Sequence, residues 1–144
     1  MVGLVVATHG HLAVELVATA EQIVGKLVAT ATCEVQPGAS PADIRERVRL
    51  AICSVDDGEG VLVLADLFGG TPCNQSLTLS QSDAHHLEVL TGVNLPMLLK
   101  ANSLRSEHLP LPALATALTQ HAQKNITCAS ALLREAQSPS RNQH

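Results

Sequence analysis

An α/β fold built on a doubly wound, mainly parallel sheet is what this sequence predicts. Three observations carry the prediction. Short, wholly apolar runs, such as Val2 to Ala7 and Val61 to Ala65, read as strands buried on both faces. Stretches with apolar residues at helical spacing alternate with those runs. Gly, Pro and Asp clusters mark the junctions. Such alternation packs as a parallel sheet with helices on both faces.

Each element follows from local signals. Val2 to Ala7 is the first strand, broken by Thr8-His9-Gly10. Leu12, Leu16, Ala20, Ile23 and Val24 then recur at helical spacing as far as Gly25. A second strand covers Val28 to Val35 and stops at Pro37-Gly38. Ser40-Pro41-Ala42-Asp43 opens a helix: Ser40 can cap, Pro41 suits the first turn and Asp43 favours the helix dipole. Val61 to Ala65 is the third strand, ending at Asp66, and Gly69-Gly70 marks a tight loop. Thr71-Pro72 opens a helix to Ser80, with Thr71 as its N-cap. Leu87 to Leu90 is a fourth strand, and helices follow from Pro96 and from Leu111 to Gln123. Asn125 to Leu133 reads as a short antiparallel edge strand. The expectation is therefore one domain over residues 1–135, with a disordered polar tail over 136–144.

Composition excludes several functions. The chain has 144 residues, 46% of them hydrophobic and 15% charged, which suits a packed globular core. A net charge of -4 does not condense on a phosphate backbone. With no Trp, no Tyr and one Phe, the chain also lacks stacking platforms for single strands, so nucleic acid is not expected as a partner. No apolar run approaches the ~18 residues needed to cross a bilayer, and no basic segment precedes the first apolar run. The four cysteines are scattered and form no CxxC pair, which suits reduced thiols and a cytoplasmic setting.

Two loops carry the candidate chemistry, and both follow strands directly. They are Ala7-Thr8-His9-Gly10-His11 and Asp66-Leu67-Phe68-Gly69-Gly70-Thr71-Pro72. If the preceding strands are neighbours, a histidine, a carboxylate, a hydroxyl and two helix N-termini converge on one crevice at the carboxyl edge. That set suits phosphoryl uptake on histidine. A neutral imidazole attacks phosphorus while a carboxylate on the other ring nitrogen fixes the tautomer and steadies the developing charge. His9 and Asp66 fit these catalytic roles. Thr71, Gly70 and Gly10 are the candidate phosphate-binding residues. No GxxxxGK[ST] loop is present, so the phosphate must come from an already activated donor.

At these residues the chain resembles the EIIA component of the mannose-type bacterial phosphoenolpyruvate-dependent sugar phosphotransferase system. The resemblance rests on Val5-Val6-Ala7-Thr8-His9-Gly10, on Asp66 to Asn74 (D-L-F-G-G-T-P-C-N), and on Gly92-Val93-Asn94-Leu95-Pro96-Met97-Leu98. It covers about residues 1 to 100 well. It implies that His9 is phosphorylated on Nε2 and that Asp66 hydrogen-bonds the other ring nitrogen. It implies a phosphotransferase that needs no cofactor, with the phosphocarrier HPr as donor and an EIIB protein or domain as acceptor, serving sugar uptake or regulation beside a membrane permease. It also implies a homodimer that exchanges a C-terminal strand, which would fall at Asn125 to Leu133. Thr71 stands where the family usually has Ser, and Phe68 where it often has Trp.

Other readings stand beside these. Asp66 could merely hold the strand-to-helix loop. Phe68 either packs into the core or sits at the rim to meet partners. His9, His11, His85 and His86 lack the spacing of a metal site, so no metal is expected. A hydrolase would need a nucleophile that Thr71 supplies poorly, and no G-x-S-x-G elbow is present. Two closer alternatives are the phosphotransfer subunit of a dihydroxyacetone kinase system and a stand-alone regulatory module that reads phosphorylation state.

Overall fold

The computed structural model describes residues 1–82 and 84–138. Ten elements follow in order: β1 (Gly3–His9), α1 (Leu12–Val24), β2 (Thr30–Val35), α2 (Pro41–Val55), β3 (Val61–Ala65), α3 (Thr71–Ser80), β4 (Leu87–Leu90), α4 (Leu95–Ser106), α5 (Leu111–Lys124) and α6 (Ala129–Ala136). The four strands form one parallel sheet in the order β2-β1-β3-β4. β1 lies at its centre, with Ala7 opposite Cys33 of β2 and Ala65 of β3.

Alternate residues of the central strands enter separate cores, as a sheet covered on both faces requires. Leu4, Val6, Leu62 and Leu64 pack with Ala13, Ala20, Leu98, Ala101 and Leu114 from α1, α4 and α5. Val5, Ala7, Val61 and Val63 pack on the other face with Ile44, Val48 and Ile52 of α2. The all-buried pattern of β3 explains why its sequence is a continuous apolar run.

Local signals place most boundaries. Ser40 Oγ accepts from the Asp43 N–H at 3.1 Å and caps α2. Asn94 Oδ1 accepts from the Met97 N–H at 3.0 Å and caps α4. The second strand begins at Thr30 and not at Val28, because Ala29 turns through a left-handed conformation with φ 48°.

The C-terminal segment departs from its expected conformation. Asn125 to Leu133 is not an edge strand; Ala129–Ala136 is helical, and none of it joins the sheet. Ala-Ser-Ala-Leu-Leu-Arg-Glu-Ala contains strong helix formers and no β-branched residue, so propensity favours the helix. No residue of α6 is buried. Of the polar tail expected from 136, Ala136 closes this helix and residues 139–144 lie outside the described residues.

Candidate functional site

β1 and β3 are neighbours, while β2 and β4 lie outside them on opposite sides. The strand order therefore reverses between β1 and β3, and the crevice beyond their carboxyl ends is where an open α/β sheet binds its ligand. Both loops singled out in the sequence start there. His9 is the last residue of β1, and Asp66 follows the last residue of β3.

The two side chains meet. His9 Nδ1 lies 2.9 Å from Asp66 Oδ2. The same oxygen accepts the His9 backbone N–H at 2.9 Å, and Oδ1 accepts the Leu67 N–H at 2.9 Å. Burial raises the Asp66 carboxyl, but the His9 backbone and ring hydrogen bonds, the attraction of the ring and the Leu67 N–H together set it below the ordinary carboxylate value. Asp66 is thus a carboxylate that can only accept, so Nδ1 carries the ring proton. Nε2 keeps its lone pair. The Asp66 side chain is only 11% exposed while His9 is 48% exposed, so a largely buried carboxylate holds a half-exposed ring.

This pairing has a sign in pH. A carboxyl held low in the folded state stabilises the fold above its unfolded value, about 3.9, and that contribution is lost as pH falls through the folded value. Asp66→Asn makes no such contribution. The gap in urea midpoint between the natural protein and Asp66→Asn should narrow as pH is lowered from about 6 to about 3. A gap of constant size would show that Asp66 titrates as an ordinary surface acid.

The second loop closes over the imidazole. A Cβ placed on Gly70 would lie 3.0 Å from His9 Cε1 and 3.3 Å from Leu67 Cγ, so glycine permits the close approach of loop and ring. Thr71 is not the N-cap expected of it. Helix α3 begins one residue earlier than that role requires, with Gly70 at the cap position and no side-chain cap hydrogen bond. The loop is instead tied by Asn74 Nδ2, which donates to the Gly69 carbonyl at 3.1 Å. The Gly10 N–H donates to the Val35 carbonyl at 3.0 Å, and its φ of 57° shapes the turn into α1. Phe68 is 79% exposed, which places it at the rim and not in the core.

Sequence reasoning missed two residues here. Thr8 is fully buried, and its Oγ1 accepts the Ala13 N–H at 2.8 Å, so the residue before His9 anchors the start of α1. His11, weighed only as a metal ligand, has Nδ1 2.7 Å from Glu34 Oε2 at the end of β2. Neither pairing has a local sequence signature. The third motif acts indirectly: the Val93 N–H donates to the Ala65 carbonyl at 3.1 Å and so braces the end of β3, one residue before Asp66.

Known proteins resemble this chain over most of its length. Residues 3–119 match the EIIA-man family, described as "PTS system fructose IIA component". The chain is 32% identical over 106 residues to the PTS system mannose-specific EIIAB component of Escherichia coli (strain K12). That match takes in 74% of this chain and 32% of the relative, so the chain spans about a third of that relative's length. Among solved structures, the phosphotransferase system component EIIA from Streptococcus agalactiae superposes with a TM-score of 0.83 at 27% identity, over 91% of this chain and 99% of that one. The mannose/sorbose specific IIA subunit from Enterococcus faecalis does so with a TM-score of 0.79 at 30% identity, over 88% and 93%.

Proposed function

The chain belongs to the family of PTS fructose IIA components, and from that membership we propose that it takes a phosphoryl group onto His9 Nε2 from phospho-HPr and hands it to an EIIB component. The single observation that carries the reading is the His9–Asp66 pair at the reversal point of the sheet. Family membership gives a phosphotransfer component of the sugar phosphotransferase system; the relay through these partners and residues is the proposal.

The chemistry follows from the proton's position. With Nδ1–H donated to Asp66, the Nε2 lone pair attacks phosphorus in line with the donor's P–N bond. That bond breaks, and its electron pair returns to the donor imidazole. The His9 ring becomes cationic, and the Asp66 carboxylate 2.9 Å away steadies that charge. The amino end of α3 and the Thr71 hydroxyl, which is not used in a cap, supply donors for the phosphoryl oxygens. Return transfer to the acceptor uses the same groups in reverse.

Recognition in this scheme is between proteins. Phe68 stands out from the loop beside the site, an aromatic anchor for HPr and EIIB. Such contacts must be weak to allow rapid release. No helix of the described residues is long and apolar enough to cross a membrane, and we assign the relay to the cytoplasm. We also propose a homodimer: Ile126, Leu132 and Leu133 are exposed apolar residues beyond α5 that a second copy would cover.

The direct test is intact-protein mass after incubation with phosphoenolpyruvate, enzyme I and HPr at alkaline pH, where phosphohistidine persists. The expected result is a gain of one phosphoryl group. No gain, with HPr itself phosphorylated, would overturn the reading. Geometry adds a second prediction. Gly70→Ala places a methyl 3.0 Å from His9 Cε1, a contact that the ring relieves by shifting a few tenths of an ångström unless the loop gives way. Transfer from phospho-HPr should slow by about 10- to 100-fold, since sub-ångström misplacement of a nucleophile is costly, while the urea midpoint changes little. An unaffected rate would show that the loop gives way and does not position the ring.

A further inference from the structure

A second constellation lies at the opposite end of the sheet. Cys53 is on the last turn of α2 and is exposed. His85 precedes β4, and its Nε2 is 3.5 Å from Cys53 Sγ. The other ring nitrogen, Nδ1, is 2.5 Å from Asp56 Oδ2. Asp56 is fixed in turn, because its Oδ1 accepts the Gly58 N–H at 2.9 Å and the Gly60 N–H at 3.3 Å. The His85 hydrogen bond holds its carboxyl below the ordinary value. Arg49 Nη1 lies 3.7 Å from the same sulfur, with its Nε held by Glu46 at 2.8 Å.

The order of these groups decides between two chemistries. A metal site needs donors that converge on one point. Here the imidazole stands between a thiol and a carboxylate, each facing a different ring nitrogen, and no three His, Cys, Asp or Glu side chains among the described residues converge. A line of nucleophile, base and orienting carboxylate is instead the arrangement that activates a nucleophile. The exposed Cys53 sulfur is open to a small molecule from solvent, while a cleft of about 710 Å³ that His85 helps to line does not include Cys53.

We infer that Cys53 is a reactive thiol, served by His85 as base with Asp56 positioning it, that exchanges with small-molecule disulfides. In the step, His85 Nε2 takes the Sγ proton as sulfur attacks one sulfur of the disulfide. A Cys53–S–S–R bond forms and the original S–S bond breaks. The departing thiolate leaves with the electron pair, and the proton held by His85 passes to it when it is basic or to solvent when, as with an aromatic thiolate, it is not. Cys53 is oxidised, the leaving thiol is reduced, and no other oxidant is required.

Three other thiols set the controls. Cys33 and Cys73 are buried. Cys128 is exposed, and its hydrogen bond with Ser130 draws its thiol below the usual value, so it competes. The test therefore uses the full chain carrying Cys128→Ser, with dithiobis-nitrobenzoate as the disulfide. Release of the coloured thiolate gives the rate, and peptide mapping gives the site. We expect one fast-reacting thiol, mapped to Cys53. His85→Ala should slow it by about 100-fold, and added imidazole should restore part of the rate, which a merely structural histidine would not allow. Asp56→Ala should slow it less, with Asp56→Glu recovering part of the loss. Circular dichroism checks each fold, and His85→Gln replaces His85→Ala if that variant does not fold. A label on another cysteine, a rate within twofold of the parent in the His85 variant, or a loss that imidazole leaves unchanged would overturn the inference.

Discussion

His9→Ala should abolish phosphoryl uptake outright while the protein stays folded. The side chain removed is the nucleophile itself, so no residual rate is expected from positioning alone. The fold should survive because the His9 ring is half exposed and Asp66 keeps its two backbone donors, His9 N–H and Leu67 N–H. The stability change should stay within about 1 kcal/mol, the net worth of one hydrogen bond. Mass spectrometry under alkaline conditions reads the first effect and urea unfolding the second. Labelling that persists in His9→Ala would move the site elsewhere, with His11 the next imidazole at this edge.

Asp66→Asn probes the same pair more finely. The natural carboxylate offers two oxygens to three donors: the His9 ring, the His9 backbone and the Leu67 backbone. An asparagine offers one oxygen. If its amide nitrogen faces the ring, the proton moves to Nε2 and the nucleophilic lone pair is lost. If it faces Leu67, two donors oppose each other. Either way transfer should slow by about 10- to 100-fold, the usual scale for a residue that orients an imidazole. Phosphoryl uptake at an unchanged rate would make Asp66 a structural tie only.

What the sequence disclosed and what it concealed divide along the range of the interaction. β1 and β3 were legible because burial on both faces forces continuous apolar runs, and the cap at Ser40 because a cap is set by its own few neighbours. The His9–Asp66 meeting was legible only conditionally, since it required β1 and β3 to pair. The pairing of Cys53 with His85, 32 residues apart, had no local trace. Thr71 misled because Thr-Pro signals a helix start but does not say whether Thr or the residue before it holds the cap position. The edge strand over Asn125 to Leu133 failed for a related reason. Ile126 and Leu132 give the segment no clear period, while the helix formers from Ala129 onward decided the outcome.

The largest stability effect is expected at a residue that local pattern gives no reason to notice. Arg105 ends a helix whose neighbours are apolar, and a lysine-like solvated role would be its ordinary fate. Instead it is 2% exposed. Its Nη1 donates to the Val2 and Ala29 carbonyls, each at 3.2 Å, and its Nη2 to Thr30 Oγ1 at 3.2 Å, while Nε has no partner. No carboxylate is among these partners, and burial draws the guanidinium below its ordinary value. The side chain thus ties the end of α4 to the starts of β1 and β2, at the turn where Ala29 adopts a left-handed conformation. Arg105→Ala removes three hydrogen bonds and leaves a cavity, and should destabilise by about 3–5 kcal/mol. Arg105→Met separates the causes. It fills the space and removes the buried charge, and Ala29 keeps the Leu4 N–H as a donor, but the Val2 carbonyl loses its Arg105 donor. The expected loss is about 1–3 kcal/mol. Urea unfolding of both variants checks the order. Equal losses would show that the hydrogen bonds alone matter, and a Met variant as stable as the natural protein would show that the cation contributes volume only. In both variants phosphoryl uptake should persist under folding conditions, because Arg105 acts on the amino ends of β1 and β2, at the end of the sheet away from His9 and Asp66.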